Sequence, residues 1–121
     1  LPPTVACSAD MALKVLGRQP ELVARLQDLS ATFRRRLQKA GFRPLPGESA
    51  IIPILVGETS SAIEMSRRLL GRGVFVTGFG HPVVPEGKAR IRLQMSAALA
   101  DKDLDQALDA LVEVGREMKL I

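Results

Sequence analysis

Apolar and polar positions alternate along the chain in two rhythms, one of three to four residues and one of two. Between Pro20 and Ala40, Leu22, Leu26, Leu29, Phe33 and Leu37 recur at helical spacing, which predicts an amphipathic helix. Pro20 suits a first turn, Gly41 suits the stop, and Arg25, Arg34, Arg35 and Lys39 are assigned to the outer face. Ahead of it, residues 4–16 predict a helix whose apolar surface is Ala6, Met11, Ala12, Leu13, Val15 and Leu16, with Gly17 ending it. The run Ile51-Ile52-Pro53-Ile54-Leu55-Val56 predicts a strand, and Pro53 confines it to an edge or an irregular ladder position. Thr59, Ser60 and Ser61 offer N-caps, with Ser61 and Glu64 spaced as a capping box. The helix that follows is expected to bury Ile63, Met65, Ser66, Leu69 and Leu70 and to end near Gly71. Residues 74–77 and 89–95 predict two more strands. Asp101 or Asp103 opens a last helix with Leu104, Leu108, Leu111, Val112 and Gly115 facing inward. The order α-α-β-α-β-β-α predicts an α/β fold, a three-stranded and mainly antiparallel sheet packed with helices. Residues 1–41 form leading helices and residues 42–121 the α/β core.

Composition narrows this picture only a little. At 121 residues the chain has the length of one domain. Hydrophobic residues make up 46% of it, with four Phe and no Tyr or Trp, so the core must be aliphatic. A net charge of +4 permits an anionic partner without requiring one. Cys7 is the single cysteine, which excludes an internal disulfide and a cysteine-rich metal site, and its apolar neighbours predict a small buried hydrophobe. No stretch approaches bilayer length and Leu1-Pro2-Pro3 is no secretory leader, so a soluble, cytoplasmic protein is expected. Opening on Pro-Pro without an initiator Met points to a piece of something longer.

The chemistry gathers in residues 74–98. Along a strand, Lys88, Arg90, Arg92 and Gln94 project to one face and Ala89, Ile91, Leu93 and Met95 to the other. One face is therefore core, and the other sets two guanidiniums beside a Gly/Pro loop. Guanidinium grips carboxylate or phosphate with a planar fork that lysine cannot copy, so this face predicts an anion site. Gly71, Gly73, Gly78 and Gly80 match neither the dinucleotide nor the P-loop spacing and are assigned to turns and close packing. His81 is the only histidine and cannot build a metal site by itself.

The string Pro82-Val-Val-Pro85-Glu-Gly87-Lys-Ala-Arg90-Ile-Arg92, followed by Leu-Gln-Met-Ser-Ala-Ala, resembles the C-terminal domain of the α-oxoamine synthases. The resemblance covers essentially the whole chain. Gly78-Phe79 before the loop and Arg90 to Ala97 after it look most similar to the glycine C-acetyltransferase (2-amino-3-ketobutyrate CoA ligase) branch. The branches that make 8-amino-7-oxononanoate, 5-aminolevulinate or 3-ketosphinganine match less closely there. The resemblance implies the small C-terminal domain of a fold-type I pyridoxal-phosphate transferase. It implies a full-length, homodimeric enzyme of threonine and glycine metabolism that joins glycine to acetyl-CoA, giving 2-amino-3-ketobutyrate and CoA.

By the same resemblance, Arg92 holds the amino-acid carboxylate, and Thr77, Gly78 and Phe79 line the acyl-CoA entrance. His81 stands where that branch commonly has Tyr and is read as a loop side chain near the same entrance. The Schiff-base lysine of the family has no counterpart among Lys14, Lys39, Lys88, Lys102 and Lys119. The histidine that stacks on the cofactor ring and the aspartate for its pyridinium nitrogen are missing as well. The expectation is therefore a domain that binds one end of a substrate, catalyses nothing alone, and lays its first helix and the 78–85 loop against an N-terminal large domain. A basic nucleic-acid-binding α/β module and a pure interaction domain stay open beside it.

Overall fold

A computed structural model describes residues 1–121. Its elements are α1 (Pro3–Arg18), α2 (Glu21–Lys39), β1 (Ile51–Gly57), α3 (Thr59–Leu70), β2 (Thr77–Phe79), β3 (Ala89–Gln94) and α4 (Asp101–Glu117). The sheet order is β1-β3-β2, and β3 runs antiparallel to both neighbours. β1 and β2 are thus parallel to each other and joined by α3, a crossover over an inserted central strand. That agrees with the predicted α/β class and its three-stranded antiparallel sheet.

Period-two burial along β3 decides where everything else lies. Ala89, Ile91 and Leu93 are buried while Arg90 and Arg92 are half-buried. Ile52 and Ile54 of β1 fall on the buried face with them, opposite Leu93 and Ile91. Helices α2, α3 and α4 cover that face through Phe33, Leu37, Met65, Leu69, Leu111 and Val114. Beneath α3 the strand must be bare. A Cβ on Gly78 would sit 2.8 Å from the Ala62 carbonyl oxygen, so only glycine lets β2 and α3 approach this closely.

Pro53 lies on an edge strand, as the sequence requires. Its carbonyl accepts from the Leu45 N–H at 2.8 Å, while the Leu55 N–H donates to the Arg43 carbonyl at 3.2 Å. Residues 43–45 so extend the sheet beyond β1 through an isolated bridge from Pro44 to Ile54. The missing proline N–H falls on that short outer ladder, where it interrupts little.

Several expectations need correction. The second strand is Thr77–Phe79, not residues 74–77. The Val74 N–H still donates to the Leu69 carbonyl at 2.9 Å and Gly73 has φ +78°, so the chain is unwinding from α3 there, and Phe75 is 80% exposed. The Ser61–Glu64 capping box does not form, because α3 starts at Thr59 without a side-chain cap. The Glu64 carboxylate instead accepts from Arg67 (2.9 and 2.8 Å) and Arg68 (2.7 Å). The buried stripe of α3 is Ala62, Met65 and Leu69, and Ile63 and Leu70 face out. Helix α1 runs through Gly17 to Arg18 and buries no residue, so Cys7 is exposed rather than packed.

Two arginines assigned to solvent are structural. Arg25 donates to the Ala97 and Leu99 carbonyls at 3.0 and 3.1 Å, tying the β3–α4 connection to α2. Arg34 donates to the Leu45, Ser49 and Ile51 carbonyls at 2.6, 3.2 and 2.7 Å, fastening the 45–51 loop. Backbone carbonyls as acceptors leave no acidic signature in the sequence, so helical periodicity alone assigned these side chains to water.

Ion pairs join α3 and the turn that follows it to α4. Arg68 reaches Glu117 at 3.1 Å, and Arg72 reaches Glu113 at 2.9 Å and Glu117 at 2.5 Å. Donors from Arg67 and then Arg68 hold the Glu64 carboxyl down from 4.5 to about 2. A carboxylate depressed in the folded state stabilises fully above its unfolded value, and that contribution fades as pH falls from about 4.5 toward 2. Denaturant midpoints of wild type and Glu64→Gln are therefore expected to differ at pH 6 and to converge near pH 2. A gap that does not change with pH would remove this link from the network.

Candidate functional site: the open face of the sheet

Opposite the helices the sheet has a second face on which no side chain is buried. The strand register arranges it in rows. Arg92 stands between Pro53 on β1 and Thr77 on β2, and Arg90 stands between Leu55 and Phe79. Through the 43–45 edge, Arg43 joins the Arg90 row and Leu45 the Arg92 row. Exposed Lys88 precedes β3 at one end of the face, and exposed Gln94 closes the other.

Arg92 carries the sharpest geometry. Its guanidinium carbon lies 4.9 Å from the centroid of the Phe79 ring, on the diagonal neighbour of the adjacent strand. Placed over the ring, the cation is held by the aromatic face while its N–H groups donate to no other side chain or carbonyl of the chain. No carboxylate of the chain pairs with it, whereas Arg36, Arg67, Arg68 and Arg72 all have acidic partners within 3.1 Å. A fixed cation with free donors on an open surface is poised for an external anion.

The structure brings Thr77 and Phe79 to this face beside Arg92 and sends Gly78, which lies between them, toward α3. His81 is exposed in the loop beyond β2, anchored by its backbone N–H, which donates to the Thr59 hydroxyl at 3.1 Å. The Phe79–Arg92 stack could not be read from the sequence, which placed the second strand too early; a β2 shifted to residues 77–79 puts the ring on the arginine face by alternation alone.

An apolar cleft of about 250 Å³ opens elsewhere, between α2, α4 and residues 73–76, lined by Phe33, Phe75, Leu93 and Leu104. Its one ionisable lining residue, Asp103, already accepts from the Ala100 N–H at 2.9 Å as the N-terminal brace of α4. Nothing there is free for chemistry. Nor is any helix long and apolar enough to cross a membrane.

The chain is similar to 8-amino-7-oxononanoate synthase of Symbiobacterium thermophilum, with 42% identity over 120 residues, 99% of this chain and 31% of that protein. It is similar to human mitochondrial 2-amino-3-ketobutyrate coenzyme A ligase, with 40% identity over 116 residues, 96% of this chain and 28% of that protein. A Thermus thermophilus protein bearing both names is 42% identical over 120 residues, 99% of this chain and 30% of it. The chain thus spans under a third of the length of these relatives. Among solved structures, serine palmitoyltransferase of S. paucimobilis with a bound PLP–myriocin aldimine superposes with a TM-score of 0.92 at 25% identity, covering all of this chain and 31% of that one. The Aminotransferase class I and II family matches residues 1–111. With a fold of that shape and a family match over nearly all its length, the chain belongs to the Aminotransferase class I and II family.

Proposed function

We propose that this chain is the C-terminal small domain of a pyridoxal-phosphate-dependent α-oxoamine synthase that condenses glycine with acetyl-CoA to 2-amino-3-ketobutyrate and CoA. The observation that carries the proposal is Arg92, stacked on Phe79 and without an acidic partner on a face that no helix covers. Its fork takes the glycine carboxylate and so fixes the orientation of the Cα–H bond. Thr77, directly across the ladder from Arg92, places a hydroxyl at the rim of the same site.

Pyridoxal phosphate, when bound, supplies the electron sink for the carbanion at that carbon. The residues of this chain do not fit the task of holding it. Lys14 is paired with Asp10 on α1, Lys39 ends α2, Lys102 lies on α4, Lys119 follows it, and Lys88 is exposed before β3. None has the setting of a Schiff-base lysine, and no acidic side chain stands on the rows of the open face. Holding the cofactor falls in this proposal to an N-terminal large domain, in a cytoplasmic homodimer. The isolated chain is then inactive.

Similarity at 42% to a synthase of 8-amino-7-oxononanoate favours a second reading, in which the acyl donor is longer. The middle strand β3 carries no aromatic side chain on its open face, which counts against a base-stacking nucleic-acid module. Full-length enzyme supplied with glycine is expected to turn over acetyl-CoA and to lose activity as the acyl chain lengthens. Turnover of alanine with long acyl donors alone would establish the second reading, and no turnover of either amino acid with any acyl-CoA would sink both.

Phe79 offers a finer test. Phe79→Leu removes the ring under Arg92 and is expected to raise the KM for glycine roughly two- to fivefold, the effect of a cation–π contact of about 0.5–1 kcal/mol. Phe79→Tyr should restore it. An unchanged KM in the leucine variant would mean the stack does not position the guanidinium.

A further inference from the structure

The open face carries more positive charge than one carboxylate needs. Lys88, Arg90 and Arg43 form no ion pair, although Lys14, Arg36, Arg67, Arg68 and Arg72 all do. Glu86, two residues before Lys88, leaves it unpaired. Arg90 is half-buried, and its one hydrogen bond runs from Nε to the Lys88 carbonyl at 3.2 Å, which leaves its two terminal nitrogens free. Arg43 stands in the same row, on the 43–45 edge beyond Leu55. Unanswered cations on one face repel one another, a cost that an incoming anion reverses.

The charge is also directional. From Arg92 toward the loop the face reads Arg90, then Lys88; from Arg92 the other way it reads Gln94, with Ile51 across the ladder, and no cation. We propose that Lys88 and Arg90, flanked by Arg43, bind the phosphate groups of the acyl-CoA co-substrate. The inference rests on the proposed function, since it needs an acyl-CoA donor. The chemistry of that donor fits the layout. The amino-acid carboxylate lies beside the carbon that attacks the thioester, while the pantetheine arm carries the phosphates far from it. Lys88 and Arg92 are four residues apart on an extended chain, about 13 Å, so the face separates its two anion sites in the order the two substrates demand. Arg90 offers a fork and Lys88 a mobile point charge, the two ways protein side chains hold phosphate.

The test uses the full-length enzyme with Lys88→Gln, Arg90→Gln and the double variant. Two donors are compared, acetyl-CoA and acetyl-pantetheine, a thioester without phosphate. The double variant is expected to raise the KM for acetyl-CoA about tenfold or more, leaving the KM values for glycine and acetyl-pantetheine where they were. The Kd of free CoA, measured by titration calorimetry, should weaken by the same factor, and salt should weaken CoA binding to wild type more than to the double variant. A KM that rises equally for both donors, or a Kd for CoA that does not move, overturns the site while the function stands. A wild-type enzyme that uses no acyl-CoA overturns the function and the site together.

Discussion

Arg92→Lys in the full-length enzyme is expected to raise the KM for glycine about ten- to a hundredfold, as the loss of a charge-assisted contact worth on the order of 1.5–3 kcal/mol implies. Lysine keeps the charge but gives up both the planar fork and the guanidinium contact over the Phe79 ring, 4.9 Å from its centroid. Orientation at the carboxylate is lost first, so kcat should fall as well if that orientation is used in the transition state. The KM for acetyl-CoA and the occupancy of the cofactor should barely change. Steady-state kinetics with each substrate varied in turn, beside a cofactor absorbance spectrum, separates these outcomes. A rise confined to acetyl-CoA would make Arg92 a phosphate contact and end its assignment to the carboxylate.

Ile91→Ala, one position away, should act on the fold itself. Ile91 is fully buried at the centre of the middle strand, opposite Ile54 on one side and Gly78 on the other. Gly78 has no side chain to move into the space, and α3 above it is held by the close approach of Ala62. A cavity that cannot collapse places the cost at about 2–5 kcal/mol, against about 0.5–1.5 kcal/mol for Ile91→Val. Urea unfolding of the three proteins measures both, with the midpoints falling and the slope unchanged. A loss under about 1 kcal/mol for alanine would mean the neighbouring layers do relax into the gap.

The environments of both positions were legible in the sequence for the same reason. The alternation in Lys88-Ala-Arg-Ile-Arg-Leu-Gln-Met states two environments in one segment, and the structure keeps both. Helices α2 and α4 were legible because long periodic segments average over local accidents. The second strand was not, since Val74-Phe75-Val76 is as apolar as a strand and only the hydrogen bond from Val74 back to Leu69 shows that the chain is still leaving α3 where the strand was expected to begin. The third helix was misjudged by one position. Apolar Ile63 and Leu70 outweigh Ala62 in any hydrophobic count, yet Ala62 is the residue that Gly78 is shaped to meet. Cys7 failed differently: apolar neighbours predict burial only if another surface arrives, and none does within α1. The roles of Arg25 and Arg34 depend on carbonyls brought close by the fold, which no spacing announces.

The one-sided sheet also has an evolutionary consequence. Because each strand gives alternate residues to different tasks, positions 53, 55, 77, 79, 90 and 92 can change without removing a side chain from the core, where Ile52, Ile54, Ile91 and Leu93 are enclosed. Substitutions on an exposed face cost little stability compared with those inside. The open face can then change across generations while the scaffold remains above its folding threshold. A lineage built on this backbone can therefore rewrite the open face of the sheet while the helix-covered face keeps the same enclosed side chains.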